Sequence, residues 1–326
     1  LFLFNENELL PYKVGALMYA PALKAGVGEN ICGNAFPGPD SLAFCLEDTV
    51  NENGVKAAEA QLVKTLTYIS ENKPEKLPLL FVRVRNCSQF RRLPSILGDL
   101  TDLLTGVIFP KFDLSNAAPY CSATGRINSG RKTPLYIMPI LESGSVLNLE
   151  TRKRTLLGIR ELLDGCKDYV LNIRVGAMDF CKAHGLRRPI DRSIYDIGVA
   201  RDALTDILTV FADSFVVSAP VWEYFQGADD DKSWECGMEN ELKNDIANGF
   251  IGKTVIHPSQ IPVVRRWLKP SGTDVEDAKA ILDWKDADLG VAKSAGGNRM
   301  NELATHGKWA RKIIILSEIY GIKDFL

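Results

Sequence analysis

GFIGKTVIHPSQI, residues 249–261, decides between two kinds of α/β protein. Gly252, Lys253 and Thr254 read like the close of a phosphate-binding loop. That loop follows G-x-x-x-x-G-K-[ST], but Ala247 stands where its first glycine should be. The order of elements is also reversed. A phosphate loop leaves a strand and opens a helix whose N-terminus holds the anion. Here a helical pattern (239–247) precedes the glycines and an extended apolar run (253–258) follows them. The stretch is therefore the entry to a strand, and Lys253 needs a role other than phosphate binding.

Working outward, the same alternation recurs along the chain. Strand-like runs occupy 16–22, 41–48, 78–86, 106–113, 134–143, 169–180, 214–225 and 253–258. Between them, apolar residues fall at helical spacing. Val55, Ala58, Leu62, Leu66 and Ile69 do so over 54–69, Leu156, Ile159 and Leu163 over 151–163, and Ala203, Ile207 and Val210 over 199–211. Strands alternating with helices predict a parallel sheet. Eight such strands within about 250 residues predict a closed (β/α)8 TIM barrel. An open doubly wound sheet would show a glycine-rich turn directly after its first strand. Ala20-Pro21-Ala22-Leu23 offers none, although Gly26 and Gly28 follow.

The texture changes after Leu268. Lys269-Pro270-Ser271-Gly272 reads as a linker. A helix is predicted over 273–284, capped by Thr273 or Asp274, and an amphipathic helix over 308–320, with a glycine-rich loop at 290–298 between them. The expected organisation is a catalytic barrel at 1–270 and a C-terminal helical lid at 271–326.

Composition excludes several classes. The chain has 326 residues, 46% hydrophobic and 25% charged, with a formal net charge of −2. No global field favours nucleic acid, and no apolar run approaches the roughly 18 residues of a membrane span. Residues 1–10 carry Glu6 and Glu8 but no basic residue, unlike a signal peptide. The seven cysteines form no C-x-x-C pair, so reduced thiols in a cytoplasmic protein are expected rather than zinc or disulfides.

A TIM barrel keeps its active site at the C-terminal ends of its strands. There the runs end in Glu47-Asp48, Arg83-Val84-Arg85-Asn86, Pro110-Lys111-Phe112-Asp113, Glu142, Asp179, Pro220-Val221-Trp222-Glu223 and His257. Glu142 and Asp179, single carboxylates on neighbouring strands, form a hard oxygen site that leaves positions for water and substrate and so suits Mg²⁺. An arginine beside such a cation clamps a carboxylate or phosphate. Together they suit enolate chemistry on a small acid. Arg83 and Arg85 share a strand face and, with Lys111, are the candidates for binding substrate. The bland alternative for the arginines is an ion pair with Glu47 or Asp48.

These motifs resemble those of a known family. SLAFCLEDTV (41–50), FVRVRN (81–86), GVIFPKFD (106–113), PILES (139–143), VGAMDF (175–180) and GFIGKTVIHPSQI follow, in order, segments of the citrate lyase beta-subunit and malyl-CoA lyase family of the HpcH/HpaI aldolase superfamily. The resemblance implies a Mg²⁺-dependent carbon–carbon lyase. Glu142 and Asp179 take its metal-ligand positions, Arg83 its substrate-carboxylate arginine, and Glu47 and Asp48 its acidic pair near the metal's water shell. It also implies a homo-oligomer, a trimer or hexamer, whose lid acid covers a neighbour's barrel. Glu302, in Asn298-Arg299-Met300-Asn301-Glu302, stands nearest to that place. Cys45 replaces the family's first Asp, and Arg85 is an extra arginine. With the basic loop 184–192, these departures resemble a branch associated with tellurite-resistance-type gene clusters. Arg187, Arg188 and Arg192 of that loop are either a phosphate clamp or a solvated surface. The expected substrate is a small acid, its CoA thioester or a phosphorylated derivative, with no nucleic acid or membrane partner. A thioester hydrolase and a non-catalytic binding subunit are the alternatives.

Overall fold

The structure, a computed structural model, describes residues 4–33, 38, 40–227, 229, 231–285 and 288–323. Its centre is one eight-stranded sheet. The strands are β1 (Ala16–Pro21), β2 (Ser41–Cys45), β3 (Leu79–Arg83), β4 (Gly106–Phe109), β5 (Tyr136–Leu141), β6 (Ile173–Val175), β7 (Val217–Ser218) and β8 (Lys253–Val255). From β1 to β7 each strand pairs in parallel with the next, and β8 pairs with β1. A parallel bridge between Ala219 and Lys253 brings β7 to β8, so the sheet curls into a nearly closed barrel. This is the (β/α)8 architecture expected from the alternation.

Every expected strand is present, and each is shorter than its apolar run. The two-residue period sorts the side chains. Leu17, Ala43, Phe81, Ile108 and Met138 point inward and form an apolar floor. Their neighbours Met18, Leu42, Val82, Val107 and Ile137 pack against the helices. One step further along the strands the inward positions turn polar, with Tyr19 on β1, Cys45 on β2, Arg83 on β3, Arg174 on β6 and Thr254 on β8. The floor therefore supports a polar upper layer at the mouth.

The outer helices follow the predicted spacing: Val55–Asn72, Leu149–Asp164, Gly198–Phe211 and Ser233–Asn248 each bury one face. Lys253 points outward into this layer. Its Nζ donates to Glu241 Oε1 and Asp245 Oδ2, both at 2.8 Å, and all three side chains are buried. This ties the first residue of β8 to the helix Ser233–Asn248, the structural role left open by the failed phosphate-loop reading.

The tail differs in detail from expectation. Its first helix is Gly272–Leu282, and the cap is Ser271, whose hydroxyl accepts from the Asp274 N–H. The glycine-rich stretch contributes to an antiparallel hairpin, β9 (Val291–Lys293) with β10 (Met300–Glu302), that leads into the helix Leu303–Tyr320. A helix at Glu6–Lys13, unmarked by apolar periodicity, precedes β1 and carries an Asn5/Glu8 capping box. Leu9 of this helix and nearby Phe4 share a second apolar core with Val275, Ala278, Ile281, Ala310 and Ile314. Tyr320 also donates its hydroxyl to the Tyr12 carbonyl. The tail helices thus pack at the N-terminal end of β1, opposite the mouth, and this core joins residues from both sides of position 270. Among the described residues no helix is long and apolar enough to cross a membrane.

Candidate active site

Four carboxylates and three cations meet above the apolar floor. Arg83 closes β3, inward by parity with Phe81, and is only 6% exposed. Its Nη2 lies 2.7 Å from Glu47 Oε2, 3.0 Å from Asp48 Oδ2 and 3.5 Å from Glu142 Oε1. Its Nε is buried without a hydrogen-bond partner among the described residues. Burial works against its charge, yet Tyr19, Glu142, Cys45 and Glu47 around it raise its pKa above the ordinary value. It remains a cation, pinned at one edge and unanswered at Nε.

Lys111 follows β4 in the left-handed backbone region, at φ 49°. That conformation is uncommon for a residue with a side chain, and such strain clusters at functional sites. Here the backbone N–H donates to Glu142 Oε1 at 2.8 Å while Nζ reaches Glu47 Oε1 at 2.5 Å and Asp48 Oδ1 at 3.3 Å. Burial would raise the Asp48 pKa, but hydrogen bonding to Glu47 and the charges of Arg83 and Lys111 hold it below the usual carboxylate range.

Glu142 immediately follows β5 and is 7% exposed. Its other oxygen, Oε2, lies over Gly176, where an added Cβ would come within 2.0 Å of it. Only glycine fits beneath the carboxylate. Gly176 also opens the helix Ala177–Ala183, and Asp179 sits in that helix's first turn. Asp179 was expected on a strand running to residue 180; the chain instead leaves β6 at Val175 and turns at Gly176. The turn still presents Asp179 beside Glu142. Burial first, then the Asp179 and Glu47 charges, push the Glu142 pKa up to about 7 against the pull of Arg83 and the Lys111 N–H. Two crowded carboxylates without enough cation to balance them are a chemical fit for a divalent ion.

Tyr19, Asp48, Arg83, Glu142, Arg174 and Asp179 line one cavity of about 180 Å³. Arg174 was not singled out from sequence. It is 1% exposed, and its Nη2 reaches across the barrel to Thr254 Oγ1 at 2.6 Å. The available signal was its parity: an arginine two residues before Gly176 in an otherwise apolar run must point inward.

Other expected site residues lie elsewhere. Arg85 Nη1 donates to the carbonyls of Leu46, Glu47 and Val50, at 3.1, 3.1 and 2.8 Å, and does not line the cavity. It shapes the loop that carries Glu47 and Asp48. Glu302 is in the hairpin, its N–H donating to His306 Nδ1 at 2.9 Å, on the tail that packs opposite its own mouth. Arg188 is neither solvated nor free for phosphate. It is fully buried, pairs with Glu223 and Glu241, and donates to the Val221 carbonyl at 2.8 Å. Arg187 and Arg192 are exposed.

A family model described as C-C_Bond_Lyase of the TIM-Barrel fold matches residues 8–322. The chain belongs to that family. Membership places it among the carbon–carbon bond lyases. The mitochondrial citramalyl-CoA lyase of Mus musculus is 26% identical over 259 residues, covering 74% of this chain and 68% of that protein. Among solved structures, CitE from Mycobacterium tuberculosis in complex with magnesium, acetoacetate and coenzyme A has a TM-score of 0.60 at 21% identity, covering 94% of this chain and 99% of that one. A citrate lyase from Burkholderia xenovorans LB400 has a TM-score of 0.70 at 18% identity, covering 94% and 92%. These likenesses to the lyase family's barrel support the fold in which β3, β5 and the Gly176 turn meet.

Proposed function

We propose that this C–C bond lyase family member cleaves or forms a carbon–carbon bond in a small carboxylic acid or its thioester, with Mg²⁺ held by Glu142 and Asp179. The observation that carries this reading is the single cavity shared by Arg83, Glu142, Asp179 and Asp48. The family relatives support it, since CitE from M. tuberculosis was solved with magnesium, acetoacetate and coenzyme A. When bound, Mg²⁺ would supply a Lewis acid that polarises a substrate oxygen.

The chain's own residues do the rest. Arg83 is fixed through Nη2 by Glu47, Asp48 and Glu142, and offers its buried Nε–H to a substrate oxygen. A guanidinium already held in place loses little freedom on binding, so its charge acts at full strength. Lys111 holds Glu47 and Asp48 through Nζ and orients Glu142 through its N–H. Asp48, ionised and in the cavity wall, is placed to take the substrate's hydroxyl proton as the carbon–carbon bond breaks. The hydroxyl carbon then becomes a carbonyl on the fragment whose carboxylate Arg83 holds. The electron pair of the broken bond passes to the other fragment as an enolate, and the proton taken by Asp48 returns to that enolate carbon.

Glu302 does not reach its own barrel mouth, so its proposed acid/base role requires a second copy. The reading is a trimer or hexamer in which the hairpin of one subunit meets the mouth of another. Incubation with Mg²⁺ and candidate hydroxy acids and thioesters, with products identified by mass spectrometry, tests the reaction. Two shorter carbon fragments support a lyase. Free acid and thiol with an intact carbon chain would replace it with a hydrolase. Light scattering that returns a monomer would remove the role of Glu302.

A further inference from the structure

The mouth contains a cation that neither Glu142–Asp179 nor the acidic pair answers. Arg174 is 1% exposed, and its Nε and Nη1 have no hydrogen-bond partner among the described residues. Its Nη2 donates to Thr254 Oγ1, and the Tyr19 phenol hydrogen-bonds the same guanidinium. No carboxylate forms an ion pair with it among the described residues, and the ionisable neighbour that offsets its burial is the Tyr19 phenol. Buried charges are ordinarily paired, because leaving one unpaired is costly. Arg83, the other buried arginine of the cavity, meets three carboxylates. Both line the same space with Tyr19, whose ring lies under the Arg83 guanidinium at 5.7 Å to the centroid.

An arginine held in this way needs an anion to complete it, and the cavity decides the anion's source. At about 180 Å³ it is smaller than the roughly 300–1,000 Å³ of drug-sized sites. A short acid fits, and a bulky carrier would have to stay outside. We propose that Arg174 receives a second carboxylate of the substrate, so that the site takes a short dicarboxylate: one end at Glu142, Asp179 and Arg83, the other on the free nitrogens of Arg174. This rests on the reading of the cavity as the substrate site and adds its specificity. Arg174 is then the residue that separates diacids from monoacids.

The probes are oxaloacetate and pyruvate, which share a 2-oxo acid head and differ by the distal carboxylate. Calorimetry with Mg²⁺ present should show oxaloacetate binding more tightly to the wild type. Arg174→Met should reduce oxaloacetate affinity roughly ten- to hundred-fold, the range of a lost charged hydrogen bond, and leave pyruvate affinity unchanged. Its Tm should hold or rise, because an unpaired buried charge has been removed. A merely structural bolt between β6 and β8 would instead lower Tm and spare the oxaloacetate-to-pyruvate ratio, and that result overturns the proposal. Should Arg174→Met fail to fold, Arg174→Gln gives the same ratio test. Pyruvate binding with no preference for oxaloacetate overturns the Arg174 inference alone. Binding of neither acid overturns the substrate-site reading and this inference with it.

Discussion

Two buried charge clusters sit on opposite sides of the barrel wall. Outside it, Lys253, Glu241, Asp245 and Arg188 form a closed network. Glu241 accepts from Arg188, Lys253 and the Ile194 N–H, while Asp245 accepts from Lys253 and the Tyr195 hydroxyl. Inside, Arg83, Arg174 and Glu142 are similarly buried and Asp179 is half-buried beside them, but their accounts do not close. Among the described residues Arg83 Nε and two Arg174 nitrogens lack partners, and Glu142 titrates near 7. A satisfied network holds the fold, whereas an unsatisfied one awaits a ligand. Charge at a strand position does not separate the two; satisfaction does.

The largest effect is expected from breaking the closed cluster. Lys253→Met leaves buried Asp245 with the Tyr195 hydroxyl but no cation, and Glu241 with Arg188 as its remaining cation. It should cost about 3–5 kcal/mol of stability, measured by urea unfolding. Binding at the mouth should be unaffected in the fraction that remains folded. Breaking the open cluster should do the reverse. Arg83→Lys keeps a charge but loses the planar fork, and should weaken binding of a small acid such as pyruvate by about 1.5–3 kcal/mol, with little loss of Tm.

Two subtler changes sharpen the contrast. Gly176→Ala leaves both carboxylates in the sequence but places a methyl 2.0 Å from Glu142 Oε2. Mg²⁺ affinity should fall, as a titration of Gly176→Ala beside the wild type would show. Proton competition should also be visible at Glu142. Its folded pKa, about 7, lies above its ordinary value of 4.5. The stabilising effect of that proton is full below 4.5 and is lost as pH rises through 7. Mg²⁺ affinity should rise over the same interval as the proton leaves. A Mg²⁺ affinity constant from pH 5 to pH 8 would contradict the assignment. The smallest effect is expected at the exposed arginines: Arg187→Ala and Arg192→Ala should each change stability by less than about 0.5 kcal/mol and leave acid binding unchanged.

Strand count and order were legible because each strand carries its own apolar run. The mouth was legible where a charged residue closes such a run, as Arg83 and Glu142 do. Asp179 was placed one element early, since 169–180 is nearly continuous in apolar character and only Gly176 marks the turn. Arg174 was hidden for a related reason: a charge inside a run is easily passed over unless strand parity is followed. Arg188 was misread because its partners Glu223 and Glu241 lie 35 and 53 residues away in sequence. The tail's amphipathic helices declared that they bury a face, but not that it would meet Phe4 and Leu9 at the opposite end of the barrel.

The central claim is that Glu142 and Asp179 form the metal centre of a lyase. Calorimetric titration of Mg²⁺ into the wild type, Glu142→Gln and Asp179→Asn at pH 8 tests it most directly. The account predicts a single site in the wild type that is lost or strongly weakened in both variants, with Tm of the metal-free proteins maintained. Wild-type Mg²⁺ affinity in both variants would contradict it.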